Sequence, residues 1–278
     1  MTLKLQVVGH PVSIDCDDAG ARQLLEANFG ALARPGGVSD ALPSEMVYVV
    51  RRTASGGPFS LSCRQESPIL LDDLGDLLYA LEKDLVVSLQ RRRPELLFLH
   101  SAVLERAGRG YLLAGDSGNG KSMTTWGLLH RDFRYLSDEL APIDPATMQV
   151  HAYPHALCMK REPPPAYPLP SGGVQSLVST LHMPVAFLPA RLGPATCAVE
   201  AIVFVHHDRA LTVPRLRRLG SAEAGARLYT NALNALAHPD NGLDVVLKIA
   251  SQAHCYLLQT ADLVQSCDLF CDEVVGTQ

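Results

Sequence analysis

The feature that most constrains the fold of this 278-residue chain is a glycine-rich segment between an apolar run and a helical pattern. The apolar run covers residues 111–114, and the segment 115–122 reads Gly-Asp-Ser-Gly-Asn-Gly-Lys-Ser. The residues that follow, SMTTWGLLH, have the length and composition of a helix. A strand that runs through a short loop into a helix is the repeating unit of α/β folds, so the segment predicts an α/β fold.

The same segment matches the pattern G-x-x-x-x-G-K-[ST]. Glycines permit backbone conformations closed to other residues, and the following helix directs its positive end at an anion in the loop. Lys121 would neutralise nucleotide phosphates and the Ser122 hydroxyl would hold Mg²⁺, which predicts ATP and Mg²⁺ as cofactors. The alternative is a glycine turn with a solvated lysine. The predicted cofactor-binding residues are Gly115, Asp116, Ser117, Gly118, Asn119, Gly120, Lys121, Ser122 and Met123.

Three other positions stand near ends of predicted strands. Asp138 and Glu139 follow a strand-like run sixteen residues after the loop, where such proteins carry a carboxylate for Mg²⁺ or water. His100 ends the apolar run 96–99, fifteen residues before the loop. Each also has an ordinary interpretation, as a helix cap, a solvated strand end or a structural histidine. Lys160 is a candidate second phosphate contact or a solvated strand end.

Composition excludes several classes of protein. The net charge of −5 argues against a protein that coats nucleic acid, and no apolar run approaches the 18 residues of a membrane span. The first fifteen residues lack the pattern of a signal peptide, so we expect a cytoplasmic protein with no membrane or nucleic-acid partner. The seven cysteines contain no C-x-x-C pair, which argues against a disulfide framework.

The hydrophobic pattern changes near residue 94 and predicts two domains, a small α+β unit over 1–93 and a catalytic unit over 94–278. Eight of the nineteen prolines lie between 162 and 194, which predicts a long surface loop there. The predicted strands are 3–8, 11–15, 45–53, 58–65, 96–106, 111–114, 133–144, 150–160, 201–207 and 255–259. The predicted helices are 19–33, 71–89, 221–237, 243–252 and 261–275, in addition to the one after the glycine loop, and a proline- and glycine-rich loop covers 34–43.

Residues 95–145 together resemble the catalytic core of bacterial HPr kinase/phosphorylase, which is related to phosphoenolpyruvate carboxykinase. In that family a histidine precedes a hairpin, a G-D-S-G-x-G-K-S loop, a helix and an A-D-D strand end. The matching positions here are His100, the loop 115–122 and Ser137-Asp138-Glu139. The resemblance implies a P-loop kinase core of the HPr kinase and phosphoenolpyruvate carboxykinase type, preceded by the small N-terminal α+β unit.

The resemblance also implies an activity, the Mg²⁺- and nucleotide-dependent phosphorylation of a serine hydroxyl. The implied catalytic residues are His100, Lys121, Asp138 and Glu139, and the implied metal ligands are Ser122 and Asp138. The family's general base is the second acid of A-D-D, which is Glu139 here in place of aspartate. This departure leaves the base open between Glu139 and Asp138.

Two segments of the full enzyme, E-[LIV]-R-G-x-G and V-R-P-G-R-[ND], are missing from the sequence. The stretch that ends at Lys160 is more similar to the shorter HPr-kinase-like proteins found beside peptide-modification genes, including lasso-peptide kinases. We therefore expect an ATP-dependent serine kinase without phosphorylase activity. Its acceptor would be a serine on a peptide or small protein, such as a ribosomally made precursor peptide.

Some alternatives stay open at this stage. The chain could be an ATP-binding regulatory protein without phosphotransfer, or a kinase of a small molecule such as free serine. The donor could be ATP, ADP or pyrophosphate, and the hexameric family enzyme leaves a homo-oligomer open. Arg161 and the cluster Arg215, Arg217 and Arg218 could supply positive charge or form a solvated basic face, and Trp126 is a predicted core residue.

Overall fold

The computed structural model describes residues 2–33, 46–54, 56–64, 66–177 and 179–276. The predicted loop 34–43 lies outside the described residues, as does Ser55 in the turn between the third and fourth predicted strands. The described residues form a mixed α/β structure with three sheets and six α-helices. None of these helices combines the length and hydrophobicity that a membrane crossing requires.

The N-terminal part of the chain forms a five-stranded sheet covered by two helices. Its strands, in both chain and spatial order, are β1 (Thr2–Val7), β2 (His10–Cys16), β3 (Met46–Arg52), β4 (Phe59–Cys63) and β5 (Ile69–Leu71). The pairing of β2 with β3 is parallel and the other pairings are antiparallel. The helices are α1 (Ala19–Phe29), which Asp18 caps through the backbone N–H of Ala21, and α2 (Leu74–Arg92).

Helix α2 begins three residues after the predicted start because the side chain of Asp73 accepts hydrogen bonds from the backbone of Gly75 and Asp76. Arg91 and Arg92 in its last turn suit the negative end of the helix dipole. Leucines at a spacing of four form its buried stripe, and they are Leu77, Leu81, Leu85 and Leu89. The helix therefore packs on the first sheet through one face only.

The second sheet contains nine strands. They are β6 (Leu97–Leu99), β7 (Ser101–Arg106), β8 (Arg109–Ala114), β9 (Arg134–Ser137), β10 (Ala141–Asp144), β11 (Gln149–His151), β15 (Thr196–His207), β16 (Arg215–Arg218) and β17 (His254–Thr260). The main order is β6-β10-β11-β15-β8-β7-β9, and β17 joins β15 to β16. The helices of this part are α3 (Lys121–Leu129), α4 (Ser221–Asn231), α5 (Leu243–Gln252) and α6 (Leu263–Phe270).

The predicted long surface loop over 162–194 is wrong, because part of this segment belongs to a third sheet. That sheet consists of β12 (Leu157–Met159), β13 (Gln175–Leu177) and β14 (Thr180–Met183), in the order β12-β14-β13. The positions of the prolines explain the difference, since residues 171–183 contain none and β13 and β14 fall within that interval. The number of prolines in the whole segment did not reveal this proline-free stretch, whose backbone N–H groups can donate the hydrogen bonds between strands.

Two predicted strands are each interrupted at a candidate site residue. The predicted strand 96–106 breaks at His100, whose backbone N–H donates to the carbonyl of Asn231 at 2.8 Å. The predicted strand 133–144 breaks after Ser137, which leaves residues 138–140 between β9 and β10. The predicted helix 221–237 also ends early, at Asn231, and the predicted helix 261–275 becomes α6 followed by a π turn over Cys271–Val275.

The predicted domain boundary at 93/94 falls between α2 and β6. The apolar core of the first sheet continues past this point, because Leu96, Phe98, Leu140 and Tyr153 pack in the same cluster as the leucines of α2. Helix α2 is thus held against the edge of the second sheet that begins with β6.

Candidate functional site

The glycine-rich loop connects β8 to α3 and has a left-handed backbone at three positions. The φ angles are +141° at Gly115, +90° at Gly118 and +92° at Gly120, which is the residue before the helix. A Cβ on Gly115 would lie 2.6 Å from the carbonyl oxygen of Val205, so only glycine fits there. The first N–H groups of α3 lack intrahelical acceptors and are available to an anion in the loop.

Two lysines lie against this loop. The ammonium of Lys121 donates to the carbonyl of Gly115 at 2.6 Å, and that of Lys160 donates to the hydroxyl of Ser117 at 2.7 Å. Lys121 is buried, and the burial lowers its pKa. The structure therefore brings Lys160, from the end of the third sheet, to the same loop as Lys121.

Asp138 lies at the end of β9, which runs parallel to β8. The two strands are not neighbours in the sheet, because β7 lies between them and is antiparallel to both. The side chain of Asp138 is 1% exposed. Its Oδ2 accepts from the backbone N–H of Cys158 at 3.1 Å, while its Oδ1 has no hydrogen-bond partner among the described residues.

Burial, followed by the charge of Glu139, raises the pKa of Asp138 to about 7. The hydroxyl of Ser122 and the ammonium of Lys121 act in the opposite direction. A buried carboxylate with a free oxygen, next to a serine hydroxyl, is a site that a cation would stabilise.

His100 and Glu139 form a pair on the cavity side of Asp138. The Nδ1 atom of His100 lies 3.2 Å from Oε2 of Glu139, and each side chain is about one third exposed. Burial lowers the pKa of His100, which the nearby Lys121 reinforces and Glu139 opposes. A neutral imidazole can donate a hydrogen bond to the carboxylate and hold its orientation.

The remaining predicted residues have different surroundings. Met123 packs against the apolar core, and Trp126 is buried with its indole N–H donating to the carbonyl of Tyr167 at 2.9 Å. The Arg217 guanidinium pairs with Glu223, and the neighbouring Arg215 and Arg218 line a separate cavity of about 680 Å³ that includes no loop residue. Arg161 is exposed and follows Lys160 at the end of β12. The structure thus brings His100, Lys121, Asp138 and Glu139 together, with Lys160, and does not bring the arginine cluster to the loop.

The donor set at the loop fits Mg²⁺. This ion prefers oxygen ligands and is usually bound by one or two carboxylates together with phosphate oxygens and water. The free Oδ1 of Asp138 and the hydroxyl of Ser122 provide such oxygens. In the described ranges no group of three or more His, Cys, Asp or Glu residues could hold a metal ion, so a resident all-protein site of that kind is not found there.

A cavity of about 950 Å³ opens between this site and helix α2, and none of the sequence-based predictions included it. His100, Glu139 and Lys160 line one wall, and Glu82, from the middle of α2, lines the other. His155 is 1% exposed and forms part of the lining; its Nε2 is 3.6 Å from Oε1 of Glu82. Neither ring nitrogen of His155 has a hydrogen-bond partner among the described residues.

Burial sets the protonation of both groups in this lining. It raises the pKa of Glu82 to about 7 and lowers the pKa of His155 to about 4. Sequence signals for this wall did exist. Tyr79 and Val87 are large, mostly apolar side chains of α2 that lie outside the buried leucine stripe, which is unusual for a helix packed on one face only.

Comparison with known proteins identifies no family for this chain. No family model and no curated protein matches it. Among solved structures, it is similar to the Hpr(Ser) kinase/phosphatase from Coxiella burnetii, with 17% identity over 44% of this chain and 76% of that one, and a TM-score of 0.26. A similarity this low supports no conclusion about activity. Any proposal of an activity therefore depends on the residues of this chain.

Proposed function

We propose that this protein is a Mg²⁺- and ATP-dependent serine kinase with an HPr-kinase-like P-loop core. In this proposal it transfers the terminal phosphoryl group to a serine hydroxyl of a peptide or small protein. The observation that carries it is the convergence of two groups of residues on one site. The glycine loop with Lys121 faces the buried, partly unpartnered Asp138, and the His100–Glu139 pair lies beside them.

The donor nucleotide would bind with its phosphates in the loop. Backbone N–H groups at the start of α3 and the ammonium of Lys121 would hold the phosphate oxygens. Ser122 and Asp138 would hold Mg²⁺, which neutralises charge on the phosphates when bound. A cavity of about 270 Å³ adjoins the loop on the α4 side, and the side chain of Arg227, which lies over the Phe204 ring, forms part of the surface that would face the base.

The surroundings of Asp138 and Glu139 support different roles for the two acids, a question that the sequence leaves open. Asp138 is buried and directed towards Ser122, which suits a metal ligand. Glu139 lines the large cavity and contacts His100, which suits a general base for an acceptor hydroxyl. In the proposed step, the serine oxygen attacks the γ-phosphorus, its proton passes to Glu139, and the bond from the γ-phosphorus to the bridging oxygen of ADP breaks.

Lys160 would contribute to the same step. Its ammonium reaches Ser117 in the loop and also lines the acceptor cavity, so it lies between the donor and acceptor sides. Phosphoryl transfer is catalysed mainly by positioning and by electrostatic stabilisation of the charge that moves. A cation at this position would stabilise negative charge on the transferring group.

The size of the cavity favours a peptide over free serine. Its volume of about 950 Å³ is near the upper end for pockets that enclose a whole small ligand. We propose a cytoplasmic kinase that acts on a ribosomally made precursor peptide and lacks phosphorylase activity, since the two segments of the full enzyme are missing from the sequence.

The direct test uses the purified protein with Mg²⁺, γ-labelled ATP and the short peptide encoded beside its gene. We expect a phosphoserine product from the native protein and a loss of about 100-fold or more in Glu139→Gln, because the proton acceptor is removed. Glu26→Gln, at an exposed glutamate of α1, is the matched control and should retain full activity. Folded protein that neither binds ATP nor transfers phosphate to any acceptor would refute the proposal.

A further inference from the structure

Helix α2 has one face that the first sheet does not cover. The residues of this face recur along the helix at spacings of three and four, and all of them line the large cavity: Asp73, Asp76, Tyr79, Lys83, Val87 and Gln90. Tyr79 is 68% exposed, although its ring is apolar. The helix therefore presents a continuous surface, from its cap to its last turn, to the space in front of the candidate catalytic residues.

The length of this surface limits what can occupy it. From Asp73 to Gln90 the helix advances about 25 Å, at roughly 1.5 Å per residue. A free amino acid would cover a small part of that length. An extended polypeptide rises about 3.3 Å per residue, so about seven to eight residues would span it.

The middle of α2 is connected to the candidate catalytic residues through the lining of the cavity. Glu82 is halfway along α2 and approaches His155 to 3.6 Å, and Cys158, in the same wall, donates its backbone N–H to Asp138. An acceptor serine that reaches Glu139 would therefore lie near the centre of the surface. The chain would extend for about three residues on each side of it.

The chemistry of the walls fits a polypeptide backbone with apolar side chains. Val86, Val87, Leu177 and Leu233 supply apolar contacts, and the lining also includes polar groups. Among these, His155 is buried and has two ring nitrogens without a hydrogen-bond partner in the described part of the chain. A buried polar group of this kind costs free energy until a ligand supplies its partner, and a peptide N–H or carbonyl can do so.

We propose that the uncovered face of α2 is the docking surface for the acceptor polypeptide. The acceptor binds there in an extended conformation, with its serine opposite Glu82 and with apolar residues on either side. This inference rests on the proposed kinase function and assigns part of the substrate specificity to the N-terminal unit, which carries none of the candidate catalytic residues. The occupant is a serine-containing peptide segment of about seven to eight residues.

The test uses mixtures of peptides with one central serine and all other positions randomised, at lengths of three, five, seven and eleven residues, together with free L-serine. Phosphorylation with labelled ATP should rise with length and level off near seven residues. Positions next to the serine should favour apolar side chains. Phosphorylation that does not depend on length, or free serine accepted as well as the longest mixture, would overturn the docking surface.

Two charge-matched variants on α2 separate docking from folding. Lys83→Glu lies on the proposed surface and Arg91→Glu is an exposed change on the same helix outside it. We expect Lys83→Glu and Tyr79→Ala to raise the KM for the seven-residue mixture about tenfold, with ATP hydrolysis in the absence of acceptor unchanged. Arg91→Glu should match the native protein, and equal effects of Lys83→Glu and Arg91→Glu would overturn the proposal.

The same experiments distinguish this inference from the proposed function. Protein that does not bind ATP refutes the kinase proposal, whatever the peptides do. Protein that phosphorylates the peptide encoded beside its gene but none of the mixtures overturns the docking surface alone, since the mixtures vary every position around the central serine. A second copy of this chain on the same face would give a dimer in light scattering that Tyr79→Ala converts to a monomer, and this result would also overturn it.

Discussion

Replacing Asp138 with asparagine should stabilise the protein and abolish its activity. Asp138 is 1% exposed, and one of its carboxylate oxygens has no hydrogen-bond partner among the described residues. In the absence of a cation, its negative charge is buried with incomplete compensation. An asparagine carbonyl can still accept the hydrogen bond from the backbone of Cys158. The substitution therefore removes the charge and keeps the contact that positions the side chain.

The magnitude follows from the pKa of the carboxyl group. Burial and Glu139 raise this pKa from 3.8 to about 7, a difference of about three units. Because one unit corresponds to about 1.4 kcal/mol, the ionised group costs on the order of 4 kcal/mol of stability above pH 7. The asparagine NH₂ group lacks an assured acceptor, which costs about 1–2 kcal/mol. We expect a net gain of roughly 2–3 kcal/mol at pH 8.

The sign of the pH dependence is fixed by the direction of the shift. The folded-state pKa is higher than the unfolded one, so the cost is absent below about pH 4, grows with pH, and is complete above pH 7. The advantage of Asp138→Asn should therefore shrink to near zero at pH 5. Mg²⁺ with ATP should stabilise the native protein more than the variant, because the variant loses a ligand for the ion.

Urea unfolding at pH 8 and pH 5, without nucleotide or Mg²⁺, measures this difference. Asp132→Asn is the control, because it also removes one negative charge but at an exposed turn residue. A variant that is less stable than the native protein at pH 8 would refute the reasoning. So would a stability difference that is the same at both pH values.

Three other substitutions test separate parts of the site. Lys121→Met should reduce both ATP affinity and the rate of phosphoryl transfer at least 100-fold, because it removes the ammonium group that contacts the loop. Calorimetric titration with ATP and a phosphoryl-transfer assay measure the two effects. Glu139→Gln should leave ATP affinity within about twofold and lower kcat, since the base acts on the acceptor, and steady-state kinetics separate kcat from the two KM values. Gly115→Ala should destabilise the fold by about 2 kcal/mol or more, measured by thermal unfolding, because its Cβ would lie 2.6 Å from the carbonyl oxygen of Val205. Gly118→Ala should destabilise the fold less, because the space around its Cβ is open. Equal losses in the two glycine variants would contradict the last expectation.

Local patterns accounted for most of the helices and strands. The cap at Asp73 and the leucine stripe of α2 are short-range features, and they explain why the helix predicted over 71–89 is present in the structure. The errors arose where tertiary contacts override local pattern. His100 reads as the middle of a continuous apolar strand, but its N–H pairs with Asn231, 131 residues away in the chain, and the strand is interrupted.

In the candidate site, too, some residues follow from local sequence patterns and others depend on tertiary packing. Lys121 and Ser122 follow from the glycine motif, because the loop and the helix start impose their positions. Glu82 and His155 could not be connected from the sequence, since they belong to α2 and to the segment before β12, and only the packing of the two parts brings them to 3.6 Å. Apolar side chains outside the buried leucine stripe of α2 indicate that the helix has a second contact surface. They do not indicate which residues lie opposite that surface.

The shared core explains how the proposed docking helix could act together with the candidate site on another sheet. Leu85 and Leu89 of α2 pack in one cluster with Leu96 and Phe98, which lead directly to His100. The helix face and the candidate catalytic residue His100 are therefore held by a single set of buried contacts. A change that loosened this cluster would move the acceptor surface relative to Glu139 while leaving the nucleotide loop intact. Substitutions in the cluster should accordingly raise the KM for peptide before they affect the binding of ATP, which connects the packing of the N-terminal unit to substrate choice.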